Sequence, residues 1–288
     1  MAKQSVEDVD LHDKRVLVRV DFNVPLEGGN ITDDTRIRAA LPTIEYLTGH
    51  GARVILMSHL GRPEGRPQDK LRLRPVADRL SHLLSKPVEY VTECVGPDVE
   101  AAVRRLRPGQ VMLLENLRFH PEEEKNDPEF ARQLAALGDL YVNDAFGTAH
   151  RAHASTEGVT HYLPAVAGLL MQREIAVMGS ALAEPKRPFT AIVGGAKVSD
   201  KIAVLANLMQ KVDSLLVGGG MANTFLVAIG CEVADSLLEA DKVSAARDLI
   251  RLADEKRVHL MLPRDVVVAT AFSNEAESKV VPVQEVPA

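Results

Sequence analysis

The chain has 288 residues, room for two ordinary domains, and its 46% apolar and 26% charged residues are globular values that exclude a fibrous or disordered chain. A formal net charge of −6 argues against a general nucleic-acid binder, leaving small molecules as the expected partners. Met1-Ala2-Lys3-Gln4-Ser5 leads into an acidic stretch without an apolar signal core, and no run of about 18 uncharged apolar residues offers a membrane span, so the expected place is the cytoplasm.

Short β-rich runs alternate with helical runs. Residues 15–20 read as a strand and 35–47 as a helix ended near Gly49 and Gly51. A strand follows over 53–57, then a helix over 75–84 with Pro75 in its first turn, a strand over 111–114, a helix over 128–137 and a strand over 140–143. The pattern restarts with strands over 189–193 and 214–217, helices over 199–210, 222–229 and 241–255, and a strand over 258–262. Between the halves, residues 169–182 are apolar at helical spacing and end in Glu184-Pro185-Lys186-Arg187-Pro188, a turn suited to a connector. The alternation predicts βαβ units and parallel sheets covered on both faces. The expected architecture is therefore α/β: two three-layer, Rossmann-like domains joined by a hinge helix. The domains are 1–168, a linker over 169–185, and 186–288, the last expected to be incomplete because residues 279–288 read as a strand and a loop rather than a finished domain.

Ligands of parallel α/β sheets bind beyond the carboxyl ends of the strands. Those positions carry Asp21-Phe22-Asn23, Ser58-His59-Leu60-Gly61-Arg62-Pro63, Glu115-Asn116-Leu117-Arg118-Phe119-His120 and Asn143-Asp144, followed by His150-Arg151-Ala152-His153, with Arg36 at the first helix start. Arginine presents a planar fork of donors that suits phosphate and carboxylate. Asp21 and Asn23 suit a hydroxyl, so the expected ligand is small, strongly anionic and hydroxylated. A single arginine there is more often a solvated residue or an ion-pair partner; the case rests on several strand tips carrying such groups together. The run His120-Pro121-Glu122-Glu123-Glu124 reads as an exposed loop, and Asp144 as a residue that caps or ties a turn.

In the second half, the strand over 189–193 runs into Gly194-Gly195-Ala196-Lys197-Val198-Ser199-Asp200-Lys201, where backbone N–H groups and two lysines one turn apart could meet a phosphate chain. Gly218-Gly219-Gly220 could take a flat adenine ring or allow close helix–strand packing; spacing leaves both open. Neither G-x-x-x-x-G-K-[ST] nor G-x-G-x-x-G occurs, which counts against the common nucleotide loops and a nicotinamide dehydrogenase. Cys94 and Cys231 lie far apart and form no metal-like cluster.

Taken in order, Arg19-Val20-Asp21-Phe22-Asn23-Val24-Pro25, Ser58 to Pro63, Glu115 to Phe119, Gly194 to Lys201 and Gly218-Gly219-Gly220-Met221-Ala222 resemble phosphoglycerate kinases. The resemblance implies reversible phosphoryl transfer between 1,3-bisphosphoglycerate and ADP, giving 3-phosphoglycerate and ATP, with Mg²⁺, in a monomer whose domains close before in-line transfer. By matching motifs, Asp21, Asn23, Arg36, His59, Arg62, Arg118 and Arg151 fall on the phosphoglycerate ligands. Gly194, Gly195, Lys197, Lys201, Gly218, Gly219 and Gly220 fall along the nucleotide pocket, and Arg36 and Lys197 on the catalytic cations. The family also carries a later Gly-Gly-Asp-[Ser/Thr] turn that is not found after Gly220. The expectation is an inactive or weakly active chain, with a non-catalytic phosphoglycerate-binding module as the alternative.

Overall fold

The structure is a computed structural model that describes residues 4–271 and 273–287. It falls into two compact units that divide between Met178 and Gly179. The first is built on six parallel strands: β1 (Arg15–Arg19), β4 (Arg53–Met57), β5 (Val88–Tyr90), β6 (Val111–Leu113), β7 (Leu140–Asn143) and β8 (Ala165–Ala167), with the hairpin β2 (Leu26–Glu27) and β3 (Asn30–Ile31) between the first two. Their order is β5-β6-β4-β1-β7-β8, so the chain moves from β1 to β4 and then to the edge strand β5, fills in β6 between those two, and crosses to β7 and β8 on the other side of β1.

Strand alternation sorts the core into two layers. Val16 and Val18 of β1, Val54 and Leu56 of β4 and Val142 of β7 meet α1 (Thr35–Gly49) and α2 (Arg74–Leu84) through Ile37, Ile44, Leu47, Val76 and Leu80. Leu17, Ile55, Met57, Met112 and Tyr141 point the other way, toward α3 (Pro97–Arg105) and α5 (Pro128–Ala135), where Val99, Val103, Phe130 and Leu134 close the layer. Both faces are apolar because both are covered, which is why β1 and β4 read as continuous apolar runs. The run of acids expected to be an exposed loop is instead a short helix, α4 (Pro121–Glu124), and its Glu123 is completely buried. That correction has a plain cause: Ser155 and His153 come to Glu123 from the far side of β7, a contact that sequence does not contain.

Helix α6 (Leu169–Ala183) begins on Asp144, whose Oδ1 accepts hydrogen bonds from the N–H groups of Leu170 (2.9 Å) and Met171 (3.3 Å). Asp144 is thus the cap that it reads as in sequence, at the start of a helix.

The second unit has three parallel strands in the order β11-β10-β9: β9 (Thr190–Gly194), β10 (Ser214–Gly218) and β11 (His259–Met261). One face, through Leu215, Val217 and Leu260, packs on α7 (Ile202–Leu208), α8 (Gly220–Ala228) and α9 (Val243–Lys256). On the other, the paired residues Ile192, Leu216 and Met261 form a row in which Ile192 is 78% exposed. An antiparallel hairpin, β12 (Asp265–Ala269) with β13 (Ser278–Pro282), follows. The α-helix expected from residue 199 starts only at Ile202, after a 3₁₀ turn over Ser199–Lys201. Among the described residues no helix is long and apolar enough to cross a membrane.

Candidate active site

The carboxyl ends of β1, β4, β6 and β7 gather the polar side chains of the first unit. Asp33 Oδ1 accepts from the Thr35 N–H (2.8 Å) and starts α1, which places Arg36 in its first turn. No acidic residue accompanies it there. A cation at a helix N-terminus opposes the macrodipole, so this arginine serves something other than helix stability. Its guanidinium donates to Asp21 Oδ2 at 2.7 Å and remains half exposed. Asp21 Oδ1 accepts from the Asn23 N–H (3.2 Å), and Asn23 Oδ1 accepts from the Gly61 N–H (2.8 Å), which joins the tip of β1 to the loop after β4.

That loop carries His59, which is buried, and Arg62, which is exposed and makes no hydrogen bond or ion pair among the described residues. Asn116 holds it from the β6 side: its amide donates to the Leu60 carbonyl (2.8 Å) and its Oδ1 accepts from the Leu60 N–H (3.2 Å). Arg118 is buried, donates to the Gly61 carbonyl (2.9 Å) and pairs with Glu124 (3.1 Å). Arg151 lies exposed on the loop after β7.

Electrostatics shows that these groups converge. Burial first, and then the positive charges of Arg19, Arg118, Arg36 and Arg151, push the His59 pKa down to about 2. Burial also lowers the Arg118 pKa, with Arg151 and Arg19 adding to the shift. A neutral imidazole thus feels four guanidinium groups from four different segments; Asp21 pairs with Arg36 and Glu124 with Arg118, which leaves Arg62 and Arg151 as exposed cations that an anion would meet. Asp21, Asn23, Arg36, His59, Arg118 and Arg151 are brought to one place, with Arg62 beside them in sequence at the exposed rim.

Sequence reasoning passed over Arg19, which is 2% exposed. The usable signal is a second arginine closing β1, at the end of the strand where the neighbouring residues are all buried. Sequence reasoning also missed Glu123 and Ser155.

In the second unit, β9 and β10 end side by side in the paired Gly194 and Gly218, which run on into Gly195 and into Gly219-Gly220. Gly219 has φ +69, and a Cβ there would stand 2.9 Å from both N and O of Gly195. A Cβ on Gly220 would meet the Ala196 carbonyl at 3.2 Å, and the Met221 N–H donates to the Gly195 carbonyl (2.8 Å). Of the two uses left open for these glycines, close packing accounts for 219 and 220; Gly218 faces open space. Lys201 folds its ammonium over Gly195, 2.9 Å from where a Cβ would lie. Lys197 is exposed. The N–H groups of Val198 (2.6 Å) and Ser199 (3.0 Å) are taken by Glu239 Oε2, and the Ser199 hydroxyl donates to Oε1 (2.6 Å). The helix start that could have met a phosphate already holds an anion of the chain itself. Hydrogen bonds from Ser199 and Val198, with the Lys197 charge, keep Glu239 below the ordinary carboxylate range. Among the described residues no group of three or more His, Cys, Asp or Glu converges as a metal cage.

A family model described as phosphoglycerate kinase matches residues 6–288. A phosphoglycerate kinase of Moorella thermoacetica is 66% identical over 287 residues, spanning 100% of this chain and 73% of the relative. One from Chloroflexus aurantiacus is 60% identical over 291 residues, with the same shares. Among solved structures, phosphoglycerate kinase from Coxiella burnetii superposes with a TM-score of 0.79 at 44% identity, covering 99% of this chain and 72% of that one. The enzyme from Pyrococcus horikoshii gives 0.80 at 32% identity, covering 97% and 71%. With its strand-tip cations, its paired glycine turns and these likenesses in sequence and structure, the chain belongs to the phosphoglycerate kinase family.

Proposed function

We propose that the reaction this chain's site serves is the family's reversible exchange between 1,3-bisphosphoglycerate and ADP, with Asp21, Asn23, Arg36, His59, Arg62, Arg118 and Arg151 binding the three-carbon acid and with turnover weak or absent in this chain. Residues 1–168 form the phosphoglycerate domain, 169–185 the linker and 186–288 the nucleotide domain. The observation that carries this reading is the ring of guanidinium groups whose combined charge reaches His59.

The chemistry asks little covalent work of the protein. The carboxylate of 3-phosphoglycerate is a nucleophile at neutral pH, so no general base is needed, and a histidine held neutral and buried fits that absence of proton transfer. What the protein must supply is alignment and positive charge around the moving phosphoryl group, roles assigned to Arg36 and Lys197. Lys201 and the glycines at 194, 195 and 218 line the nucleotide, while Gly219 and Gly220 bring the two turns close enough to form that wall. Mg²⁺ is assigned to the nucleotide phosphates, where it would neutralise part of their charge during transfer. The setting is glycolysis in the cytoplasm, as a monomer, without nucleic-acid or membrane partners.

The test is calorimetric titration with 3-phosphoglycerate. The chain should bind saturably, Arg36→Ala should lose at least about tenfold in affinity, as expected for a charge-assisted contact, and Lys197→Ala should bind as the parent does. Equal losses in both variants would overturn the assignment of the acid to the first unit.

A further inference from the structure

The reaction as described leaves three buried polar residues without a task. Arg19 is 2% exposed, and Ser155 and Glu123 are fully buried. They form one directed chain. Arg19 Nε donates to Ser155 Oγ (2.9 Å), which obliges the Ser155 hydroxyl proton to point to its other neighbour, Glu123 Oε1 (2.5 Å). Glu123 Oε2 accepts from the Ser155 N–H (2.9 Å), and the Ser155 carbonyl accepts from the Tyr141 hydroxyl (2.9 Å). Both Glu123 oxygens act as acceptors, Oε1 also lies 3.8 Å from His153 Nδ1, and the carboxyl group is joined to the buried guanidinium through Ser155. The serine between them cannot turn without breaking several hydrogen bonds at once.

Arg19 is thereby fixed at both ends. Its Nη1 donates to the Val20 carbonyl, and its Nη2 lies 3.1 Å from Nδ1 of His59. A guanidinium donates and never accepts. His59 Nδ1 must therefore be the acceptor in this contact and carry no proton. We propose that Arg19, locked by Ser155 and Glu123, sets His59 as the neutral tautomer with its proton on Nε2, so that His59 meets the bound acid as a hydrogen-bond donor rather than as a cation or a base.

The surroundings agree. The strongest fields at the ring come from Arg19 on β1, Arg36 on α1, Arg118 after β6 and Arg151 after β7, all positive, while Asp21 is engaged by Arg36. With burial they keep the ring uncharged through the physiological range. A neutral N–H donor also explains how a histidine tolerates so crowded a set of cations: it contributes a hydrogen bond without adding a charge. Arg19, Ser155 and Glu123 are on this account positioning residues, acting through His59. The proposal relies on the anion-site reading for its ligand, but the tautomer belongs to the ligand-free chain.

The experiment is long-range ¹H–¹⁵N correlation of the histidine rings in the full chain without ligand, with His59 assigned through His59→Gln. The expected spectrum has a protonated Nε2 and an unprotonated Nδ1, unchanged as the pH is lowered to about 5.5 while ordinary exposed histidines titrate near 6.5. An imidazolium, or a proton on Nδ1, would overturn the proposal with no variant needed. Ser155→Ala, or Glu123→Gln should the alanine variant unfold, should then give mixed tautomers and bind 3-phosphoglycerate about tenfold more weakly. A folded variant of either kind with the parent's tautomer and affinity sinks the positioning role. If the predicted tautomer is found and 3-phosphoglycerate does not bind, the tautomer assignment stands and the anion-site reading fails.

Discussion

Asp144 is buried, with Oδ1 committed to the start of α6 and Oδ2 without a hydrogen-bond partner. Burial disfavours its charged form and raises its pKa from 3.8 to about 6, against the opposing pull of the Thr43 hydroxyl and of the Met171 and Leu170 N–H groups. Between those two values the folded chain holds a proton that the unfolded chain has released. The contribution to stability is therefore fully present below about pH 4 and is lost as the pH rises through about 6. A shift of roughly two units corresponds to about 3 kcal/mol. Asp144→Asn keeps an acceptor for α6 and abolishes the titration. Urea denaturation at successive pH values should show the variant gaining on the parent by up to about 3 kcal/mol between about pH 4 and pH 6, then holding level. A gap that stays constant across that window would mean that the carboxyl titrates normally. Sequence carried the tie, because an Asp after a strand and before a helix has few other uses. It did not carry the raised pKa, which depends on the absence of water around a side chain.

The same division between legible and hidden runs through the elements. Strands β1, β4 and β7 were readable because each is an unbroken apolar run ending in polar residues, the mark of a strand covered on both faces. Strands β5 and β8 were not: Val88–Tyr90 lies at the sheet edge and is only partly buried, and Ala165–Ala167 offers side chains too small to mark a strand. Helix α3 was missed although Pro97, Asp98, Glu100, Arg104 and Arg105 are well placed for its ends, because only Val99, Ala102 and Val103 mark its buried face. The late start of α7 has a tertiary cause. Glu239, from the loop before α9, takes the N–H groups of Val198 and Ser199 and holds this stretch as a turn ahead of the helix. Glu239→Ala would leave those donors and the Ser199 hydroxyl without their carboxylate. Amide hydrogen exchange at residues 198–202 should accelerate while exchange in β1 and β4 is unchanged; equal protection in both proteins would show that Glu239 is a bystander. Since the glycine turn and Lys197 adjoin these residues, the same measurement tests whether the proposed nucleotide turn is preorganised by an internal anion.

The two units differ in how completely they bury their sheets. The first covers six strands on both faces, with one apolar layer against α1 and α2 and another against α3 and α5. The second covers three strands on one face and leaves Ile192, Leu216 and Met261 in a row on the other, with β9 as an edge. Apolar burial is the main favourable contribution to folding, and each unit has its own core, so the second should be the less stable. Heating should therefore give two transitions, the lower reporting residues 179–288. The ligand supplies the control. All the proposed phosphoglycerate contacts, from Asp21 to Arg151, lie in the first unit, so 3-phosphoglycerate should stabilise that unit alone, by about 2.7 kcal/mol at a hundred times its Kd. The upper transition should move up and the lower one stay where it is. Mg-ADP, if the glycines and lysines of the second unit hold it, should do the reverse. A single transition that moves as a whole with either ligand would mean that the molecule unfolds as one body and that its two cores are not independent.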